Sequence, residues 1–377
     1  MKIRPFGLLV SIVLVVFAAG GMQLLGAQEQ VMENPENPPA KNAGRKVKIT
    51  EVIRITDEGG DFYFKDPGYI KVAPDGSIFV VDDKQFLKFD KEGKFVANLQ
   101  KVGEGPGEYT YMADYHLTAD HLWILTFMPP KLLKCDLSGG LIKETRLKAG
   151  RGFKRVLGFF SDKFYYVITV IDFNKTKSGI RVFNQNLHVS TFDDQITDLK
   201  LNFPFRRFVV KRIYKGSRMM MMRSLDYFCY ALENEHSLFL SHTARYLVKQ
   251  VDLAKGKIIA RFKRTYKPLP YIPEKSDIQE NGITDFKKKY FSDITGLSLY
   301  KNRLWVFTSR LDEKKGILVD VFSFAGKYLD NFYLPLPGLE RPDSMERKPF
   351  TIVGDYLYIM EKNEEEVPTI VKYKIDM

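Results

Sequence analysis

The 377-residue chain is 45% hydrophobic, 14% aromatic and 28% charged, which is typical of a folded protein and excludes a disordered or collagen-like one. Its two cysteines exclude a disulfide scaffold, and no cysteine and histidine pair has the spacing of a structural zinc site. The formal net charge of +12 is compatible with an anionic partner, such as a nucleic acid, an anionic glycan or an acidic membrane surface.

The N-terminus has the pattern of a secretory signal peptide. Lys2 and Arg4 form a short basic region, residues 6–19 are almost wholly apolar, and residues 26–27 are small enough for cleavage. We therefore predict a signal peptide over residues 1–27. An uncleaved N-terminal anchor is the alternative, because the charge-free stretch is long enough to span a bilayer. Export to the periplasm or the extracellular space argues against nucleic acid as the partner.

A linker and then a repeat follow. Residues 28–46 are rich in proline and asparagine, which predicts a flexible linker. Over residues 47–377 a six-residue pattern recurs, which in its clearest copies reads polar, apolar, aromatic, apolar, apolar, polar. Six copies carry an aromatic residue at the third position: Phe79, Trp123, Tyr165, Phe239, Trp305 and Tyr358. Both tryptophans of the protein fall in this register, so the pattern indicates a structural repeat.

Turn residues flank each copy of the pattern. Asp75 and Gly76 precede the first copy and favour a tight hairpin, and Asp90 and Gly93 mark the end of the strand that follows it. Four short antiparallel strands in units of about 40 to 50 residues are typical of a β-propeller. The larger gaps between later copies predict insertions near 193–224 and 265–293.

The sequence thus predicts an all-β protein with a single domain over residues 47–377, a six-bladed β-propeller. Seven blades are the alternative, should the first insertion contain a degenerate blade. The last unit lacks an outer strand, and residues 47–55 form a spare strand near the other end. Pairing of these N- and C-terminal strands would close the ring and remove two exposed sheet edges.

The first unit resembles a known group. Its residues 86–95 and its loop 103–109 are similar to a turn and a following loop in bacterial exported six-bladed β-propeller proteins related to the NHL-repeat group. The resemblance implies a fold and an envelope location rather than a reaction. We expect this loop to shape a turn between blades, because no helix follows it that would bind phosphate. The loop motif consists of Gly103, Gly105, Pro106, Gly107 and Glu108.

Candidate catalytic residues come from the last position of the six-residue pattern, which should approach one face of the ring. Asp82, His242 and Glu361 are polar side chains suited to acid/base chemistry or to a metal site. The alternative is that strands end in polar residues where they meet water. No metal ligands are assigned and no cofactor is predicted. Ca²⁺ belongs only to the catalytic alternative given below.

The first insertion is strongly basic. Residues 200–223 contain eight lysines and arginines and no acidic residue, with aromatic side chains between them. Basic and aromatic residues together suit an anionic glycan or the acidic surface of a partner protein, whereas a solvated pair of edge strands is the alternative. The candidate binding residues are Arg206, Arg207, Lys211 and Arg212.

These patterns favour a monomeric, non-catalytic binding or scaffold propeller of the bacterial cell envelope, which recognises a protein or an anionic glycan. The absence of local catalytic motifs and the basic insertion both support this interpretation. The alternative is a lactonase-like hydrolase or lyase with a metal or acid/base site at the channel mouth. Contact with a membrane is expected only through an uncleaved N-terminal segment.

Overall fold

Six β-sheets build the molecule. In the computed structural model, each sheet has four or five strands, and successive strands of a sheet are neighbours along the chain except for three N-terminal strands. The structure describes residues 30–57, 59–128, 130–147, 153–160, 163–169, 179–192, 196–215, 217–273 and 288–377. The predicted signal peptide, residues 1–27, lies outside this part of the chain. None of the described residues belongs to a helix that is long and apolar enough to cross a membrane.

The sheets are called blades 1 to 6 in chain order. The N-terminal strands are β1 (Met32–Asn34), β2 (Arg45–Lys46) and β3 (Lys48–Ile55). Blade 1 contains β4 (Pro67–Val72), β5 (Ile78–Asp82), β6 (Gln85–Phe89) and β7 (Phe95–Asn98). Blade 2 contains β8 (Tyr111–Leu117), β9 (His121–Met128), β10 (Lys131–Asp136) and β11 (Leu141–Arg146). Blade 3 contains β12 (Phe153–Phe160), β13 (Lys163–Thr169), β14 (Gly179–Thr191), β15 (Ile196–Lys215) and β16 (Ser217–Asp226).

Three further blades complete the ring. Blade 4 contains β17 (Phe228–Asn234), β18 (Ser237–His242), β19 (Val248–Asp252) and β20 (Lys257–Arg264). Blade 5 contains β21 (Ile294–Tyr300), β22 (Arg303–Asp312), β23 (Gly316–Phe322) and β24 (Tyr328–Leu334). Blade 6 follows a 3-10 helix (Pro342–Arg347) and contains β25 (Phe350–Val353), β26 (Tyr356–Lys362) and β27 (Pro368–Asp376). The predicted six-bladed β-propeller is confirmed.

The aromatic repeat forms the cores between blades. The six-residue pattern forms the second strand of every blade, and its aromatic residues are all at most 6% exposed. Each side chain packs in a hydrophobic cluster, as Phe79 does with Phe86 and Leu122 between blades 1 and 2. The preceding turn is also as predicted, since Gly76 has a φ of +91° and Asp75 accepts a hydrogen bond from the amide of Ser77. Apolar burial between neighbouring blades therefore holds the ring together.

The first strand of each blade lies next to the axis of the ring. These strands contact one another around the ring: β4 contacts β8 and β25, β8 contacts β12, and β21 contacts both β17 and β25. Side chains on the first strands therefore meet their neighbours around an axial channel. The second strand of each blade ends at one face of the ring, called the upper face here, which carries Asp82 and His242.

The ring closes as the sequence predicts. Strand β3 pairs antiparallel with β27 as the fourth strand of blade 6, with Ile55 opposite Ile370 and Lys48 opposite Asp376. Ile55 and Ile370 are both buried in the cluster between blades 6 and 1. The N-terminal strand thus protects the C-terminal edge from pairing with another chain.

The segment that the sequence predicts to be a linker contributes to two blades. Strand β1 pairs in parallel with β20 of blade 4, and β2 pairs in parallel with β24 of blade 5. Asn34 is only 8% exposed. It donates from Nδ2 to the carbonyl oxygens of Lys263 and Gly326 and accepts from the amide of Tyr328. The linker prediction is therefore wrong for residues 32–46, because side-chain and edge-strand hydrogen bonds fix a segment with no periodic pattern.

The first insertion extends blade 3 and forms no blade of its own. Strand β15 pairs with β14 over residues 196–210, and its second half turns back into β16. The described residues form six sheets, so the seven-blade alternative is wrong. The region of the second insertion contains an isolated bridge between Pro270 and Tyr290, while residues 274–287 lie outside the described part.

Candidate functional site

Asp82 supports a loop at the upper face. Its side chain is fully buried at the end of β5. It accepts hydrogen bonds from the amides of Lys65 at 2.8 Å and Asp66 at 2.7 Å. Burial raises the pKa of the carboxyl group, and the two amides partly oppose this effect. Both oxygens therefore hold the loop that leads into blade 1.

Glu361 contacts a different set of residues. On β26 its Oε2 lies 3.6 Å from Nη2 of Arg54, which also pairs with Glu51 at 2.6 Å. Burial raises the pKa of Tyr373, and a hydrogen bond to Glu361 raises it further. The structure does not bring Asp82, His242 and Glu361 into one cluster. Within the described part of the chain, no group of three or more His, Cys, Asp or Glu side chains is arranged to hold a metal ion.

His242 lies beside a pocket between blades 3 and 4. Its Nε2 atom is 2.9 Å from Oδ1 of Asp226, which is buried, while the imidazole is about one-fifth exposed. The pocket has a volume of about 310 Å³. Its lining residues are Phe203, Pro204, Phe228, Leu240, Ser241, His242, Ala244, Arg245, Leu247 and Lys249. Two of these lining residues, Arg245 and Lys249, are cationic, and none is acidic.

The pocket combines aromatic walls with cationic groups. Phe203 and Phe228 are almost fully buried, with ring centroids 6.0 Å apart. Lys249 places its Nζ 5.9 Å from the centroid of Phe203, and Arg245 is exposed on the loop after β18. Such a cavity can bind an anion to the cationic groups while apolar parts of the ligand contact the rings.

The basic insertion begins at this pocket. Strand β15 supplies Phe203 and Pro204 and continues into Arg206, whose Nη1 donates to the hydroxyl of Ser224 at 3.3 Å. The Arg206 guanidinium also lies 5.8 Å from the ring centroid of Tyr227. The side chains of the other three candidate binding residues lie outside the described part, although their backbone belongs to β15: Arg207, Lys211 and Arg212.

The glycine-rich loop encloses a buried lysine. Lys131 on β10 is 1% exposed, and its ammonium group donates to the carbonyl oxygens of Glu104, Gly105 and Glu108. Its charge is balanced by Glu144 at 3.2 Å. Two amides of the loop donate to carboxylates: the amide of Gly105 donates to Glu108 within the loop, and that of Gly107, whose φ is +74°, donates to Glu144 on β11. Pro106 lies between these two glycines, and Gly103 stands so close to Glu108 that a Cβ would clash with it.

A cluster of charged side chains lies at the axial channel. Nζ of Lys71 on β4 is 3.0 Å from Oδ1 of Asp114 on β8, and His116 on β8 has its Nε2 3.1 Å from the carbonyl oxygen of Val156. Because a carbonyl only accepts, Nε2 of His116 carries the proton. Arg155 is exposed and belongs to β12, the first strand of blade 3, which lies next to the axis of the ring.

Burial and charge shape the protonation of this cluster. Burial and, next, the positive charge of nearby Lys71 lower the pKa of His116 to about 4 and outweigh the opposite effect of Asp114. Burial alone would raise the pKa of Asp114, but the positive charges of Lys71 and Arg155 lower it overall. Lys71 and Asp114 therefore form a compensated ion pair beside a neutral imidazole. Arg155 adds a second positive charge beside Asp114, so these three charged side chains sum to one positive charge.

Sequence patterns did not identify these groups. Lys71, Asp114 and Arg155 stand some 40 residues apart in ordinary alternating strands, and only the rotation from blade to blade brings them together. Their common signal is a charged residue on the first strand of a blade, just before the six-residue pattern. The fourth copy of that pattern ends at His242, and Arg245 and Lys249 follow it directly. Their closeness to His242 could therefore have been predicted from the sequence.

Comparisons with known proteins agree with this fold. Residues 56–235 match the model of the family DUF5128, described as a 6-bladed beta-propeller. The chain is similar to that family across blades 1 to 3 and the first strand of blade 4. No curated protein matches the sequence.

Solved structures from Bacteroides share the architecture. A "Putative exported protein" from Bacteroides fragilis is 12% identical, with a TM-score of 0.51, and the match covers 92% of this chain and 100% of that one. A member of the duf4221 family from Bacteroides vulgatus is also 12% identical, with a TM-score of 0.53 and coverages of 88% and 99%. At such identities the similarity shows the fold alone.

A gluconolactonase from Xanthomonas campestris is a more distant match. It is 12% identical, with a TM-score of 0.41 and coverages of 89% and 99%. A similarity at this level carries no argument for lactonase activity, because unrelated activities share the propeller architecture.

Proposed function

We propose that this protein is a non-catalytic binding propeller of the bacterial cell envelope that recognises an anionic glycan in the pocket between blades 3 and 4. The observation that carries the proposal is the composition of this pocket: aromatic walls, two cationic side chains beside His242, and no acidic residue in its lining. An anionic sugar has both a charged group for Arg245 and Lys249 and apolar ring faces for the aromatic side chains.

The size of the pocket favours a glycan over a folded protein partner. A volume of about 310 Å³ lies at the lower end of the range for small-molecule pockets, so it suits a sugar unit or two. A stable protein interface would instead need on the order of 800 Å² of surface from each partner. A glycan chain that leaves the pocket along β15 would next meet Arg206 and then the other basic residues of the insertion.

An envelope location fits this ligand. The apolar N-terminal segment supports export, and one structure of the same fold carries the name of an exported protein. The finer kinship with the NHL-repeat group rests on the motifs at residues 86–95 and 103–109. Polyuronates and sulfated polysaccharides are anionic glycans of the class that an exported protein meets, whereas a nucleic acid would be an unexpected partner there.

Binding of oligogalacturonate and of a chondroitin sulfate oligosaccharide tests the proposal, with neutral dextran as the reference glycan. We expect at least one anionic glycan to bind, with an affinity that falls as salt is added. The double variant R245Q/K249Q should weaken binding by about tenfold or more, because charged groups in a partly enclosed pocket interact strongly with an anion. The matched control is K257Q, which removes an exposed lysine at the opposite end of blade 4. Equal binding by both variants, or equal binding of dextran, would contradict the proposal.

A further inference from the structure

We propose that the axial channel is a second binding site, which takes a small-molecule carboxylate on Arg155. This site is separate from the pocket between blades 3 and 4 and does not depend on the glycan proposal. It lies where the first strands of blades 1 to 4 meet, and none of its residues lines that pocket.

The charges of the channel cluster do not cancel. Lys71 and Asp114 pair at 3.0 Å and compensate each other, and His116 donates to a backbone carbonyl. Among the described residues, Asp114 also attracts Arg155, but its carboxylate already pairs with Lys71. The Arg155 guanidinium lies 4.9 Å from the centroid of the Tyr230 ring. Lys71, Asp114 and Arg155 together therefore carry one net positive charge.

Arg155 has more hydrogen-bond donors than Tyr230 can accept from. A guanidinium carries five N–H donors in a planar fork, and Tyr230 offers it a single oxygen atom. That hydroxyl donates its own proton to the carbonyl oxygen of Val156 at 3.2 Å, so the tyrosine is held in place. The remaining donors of Arg155 match the two oxygens of a carboxylate.

Tyr69 lies near Arg155 and is exposed. Its ring is 63% exposed although it belongs to the first strand of blade 1, and it lies close enough to Arg155 to affect the pKa of that group. Its backbone is in the left-handed region with a φ of +44°, which is strained for a tyrosine. Tyr115 donates its hydroxyl to the carbonyl oxygen of Tyr69 and so holds this conformation. Strain of this kind concentrates at binding sites, where it presents a side chain to a ligand.

The net charge of the cluster favours a carboxylate over a phosphate. An inorganic phosphate carries between one and two negative charges near neutral pH, whereas the cluster offers one net positive charge. A monocarboxylate would leave no excess charge in a partly enclosed channel, where an uncompensated charge is costly. The exposed ring of Tyr69 further favours a carboxylate with an apolar or aromatic body.

Calorimetric titration with benzoate tests this site, with benzyl alcohol as the neutral reference and inorganic phosphate as the competing anion. We expect benzoate to bind and benzyl alcohol not to bind. R155Q should weaken benzoate binding by about tenfold or more, and Y69A should also weaken it. R155K keeps the charge without the planar fork, so its affinity for benzoate should lie between those of the wild type and R155Q. This variant keeps the test valid if R155Q is poorly folded.

R245Q is the control that separates the two sites. It removes a cation from the pocket between blades 3 and 4 and should leave benzoate binding unchanged. The inference would be overturned by no binding of benzoate to the wild type, by equal binding to R155K and the wild type, or by preferential binding of phosphate. Loss of benzoate binding in R245Q would likewise overturn it, because the carboxylate would then occupy the pocket.

Discussion

At the scale of single residues, buried charges have structural roles that their sequence context hides. Lys131 is enclosed by three carbonyl oxygens of the glycine-rich loop and by Glu144. The glycine-rich loop is therefore the wall of an ammonium site. Its glycines allow the loop to turn tightly enough to point several carbonyl groups inward.

Replacement of Lys131 tests this role. K131M should lower the free energy of unfolding by about 3 kcal/mol, because Glu144 and the loop carbonyls lose their buried donor. Urea unfolding measures the change. K94M is the control, since Lys94 is exposed in blade 1, and its effect should stay within about 0.5 kcal/mol. A similar stability of K131M and K94M would show that the loop does not depend on the ammonium group.

His116 gives the stability of the protein a pH dependence. Its pKa is about 4 in the folded protein and near 6.5 when unfolded, so the unfolded state binds more protons between these values. The contribution of His116 to stability is therefore complete above pH 6.5 and is lost as the pH falls toward 4. We expect the stability difference between the wild type and H116Q to shrink by about 2 kcal/mol between pH 7 and pH 4. A constant difference across this range, or an imidazole that titrates near 6.5 by NMR, would contradict the assignment.

At the scale of elements, the N-terminal strands pair with the outer edges of blades 4, 5 and 6 and hold the start of the chain there. Asn34 is the best fixed of their side chains, because it satisfies groups on both β20 and the turn before β24. These contacts join residues 229 to 294 positions apart, so they bind the beginning of the chain to its last third.

Substitution of Asn34 measures how much these contacts contribute to the free energy of unfolding. N34A should lower the free energy of unfolding by about 2 kcal/mol, because the amide of Tyr328 and two carbonyl groups lose their partner while they remain buried. N42A is the matched control, since Asn42 is exposed and its described hydrogen bonds use its backbone oxygen. Thermal unfolding of both variants distinguishes an N-terminal segment that stabilises the ring from the flexible linker that the composition suggests.

The elements also show what a sequence pattern can reveal. The second strands were predictable because residues such as Phe79 and Trp305 repeat in a fixed register between turn residues, and burial imposes that register locally. Strands β1 and β2 were not, because strands of two or three residues have no period and their partners lie far away in sequence. The channel cluster was hidden for the same reason, since Lys71, Asp114 and Arg155 meet only in the closed ring.

At the scale of the whole molecule, the two proposed ligand sites lie in separate parts of the ring. The axial channel collects side chains from the first strands of blades 1 to 4, and the other pocket opens between blades 3 and 4 beside the basic insertion. Part of the net charge of +12 is concentrated in one segment, because residues 200–223 contain eight basic residues and no acidic one. Electrostatic attraction would draw an anionic polymer to this side of the ring.

Hydrogen–deuterium exchange with and without a bound anionic oligosaccharide tests the central claim most directly. With oligogalacturonate or the chondroitin sulfate oligosaccharide bound, we predict slower exchange in residues 203–208 and 240–249, which form the pocket and the start of the basic insertion. Blades 1 and 6, on the other side of the ring, should exchange at unchanged rates. Protection confined to those blades, or no protection by either oligosaccharide, would contradict the account.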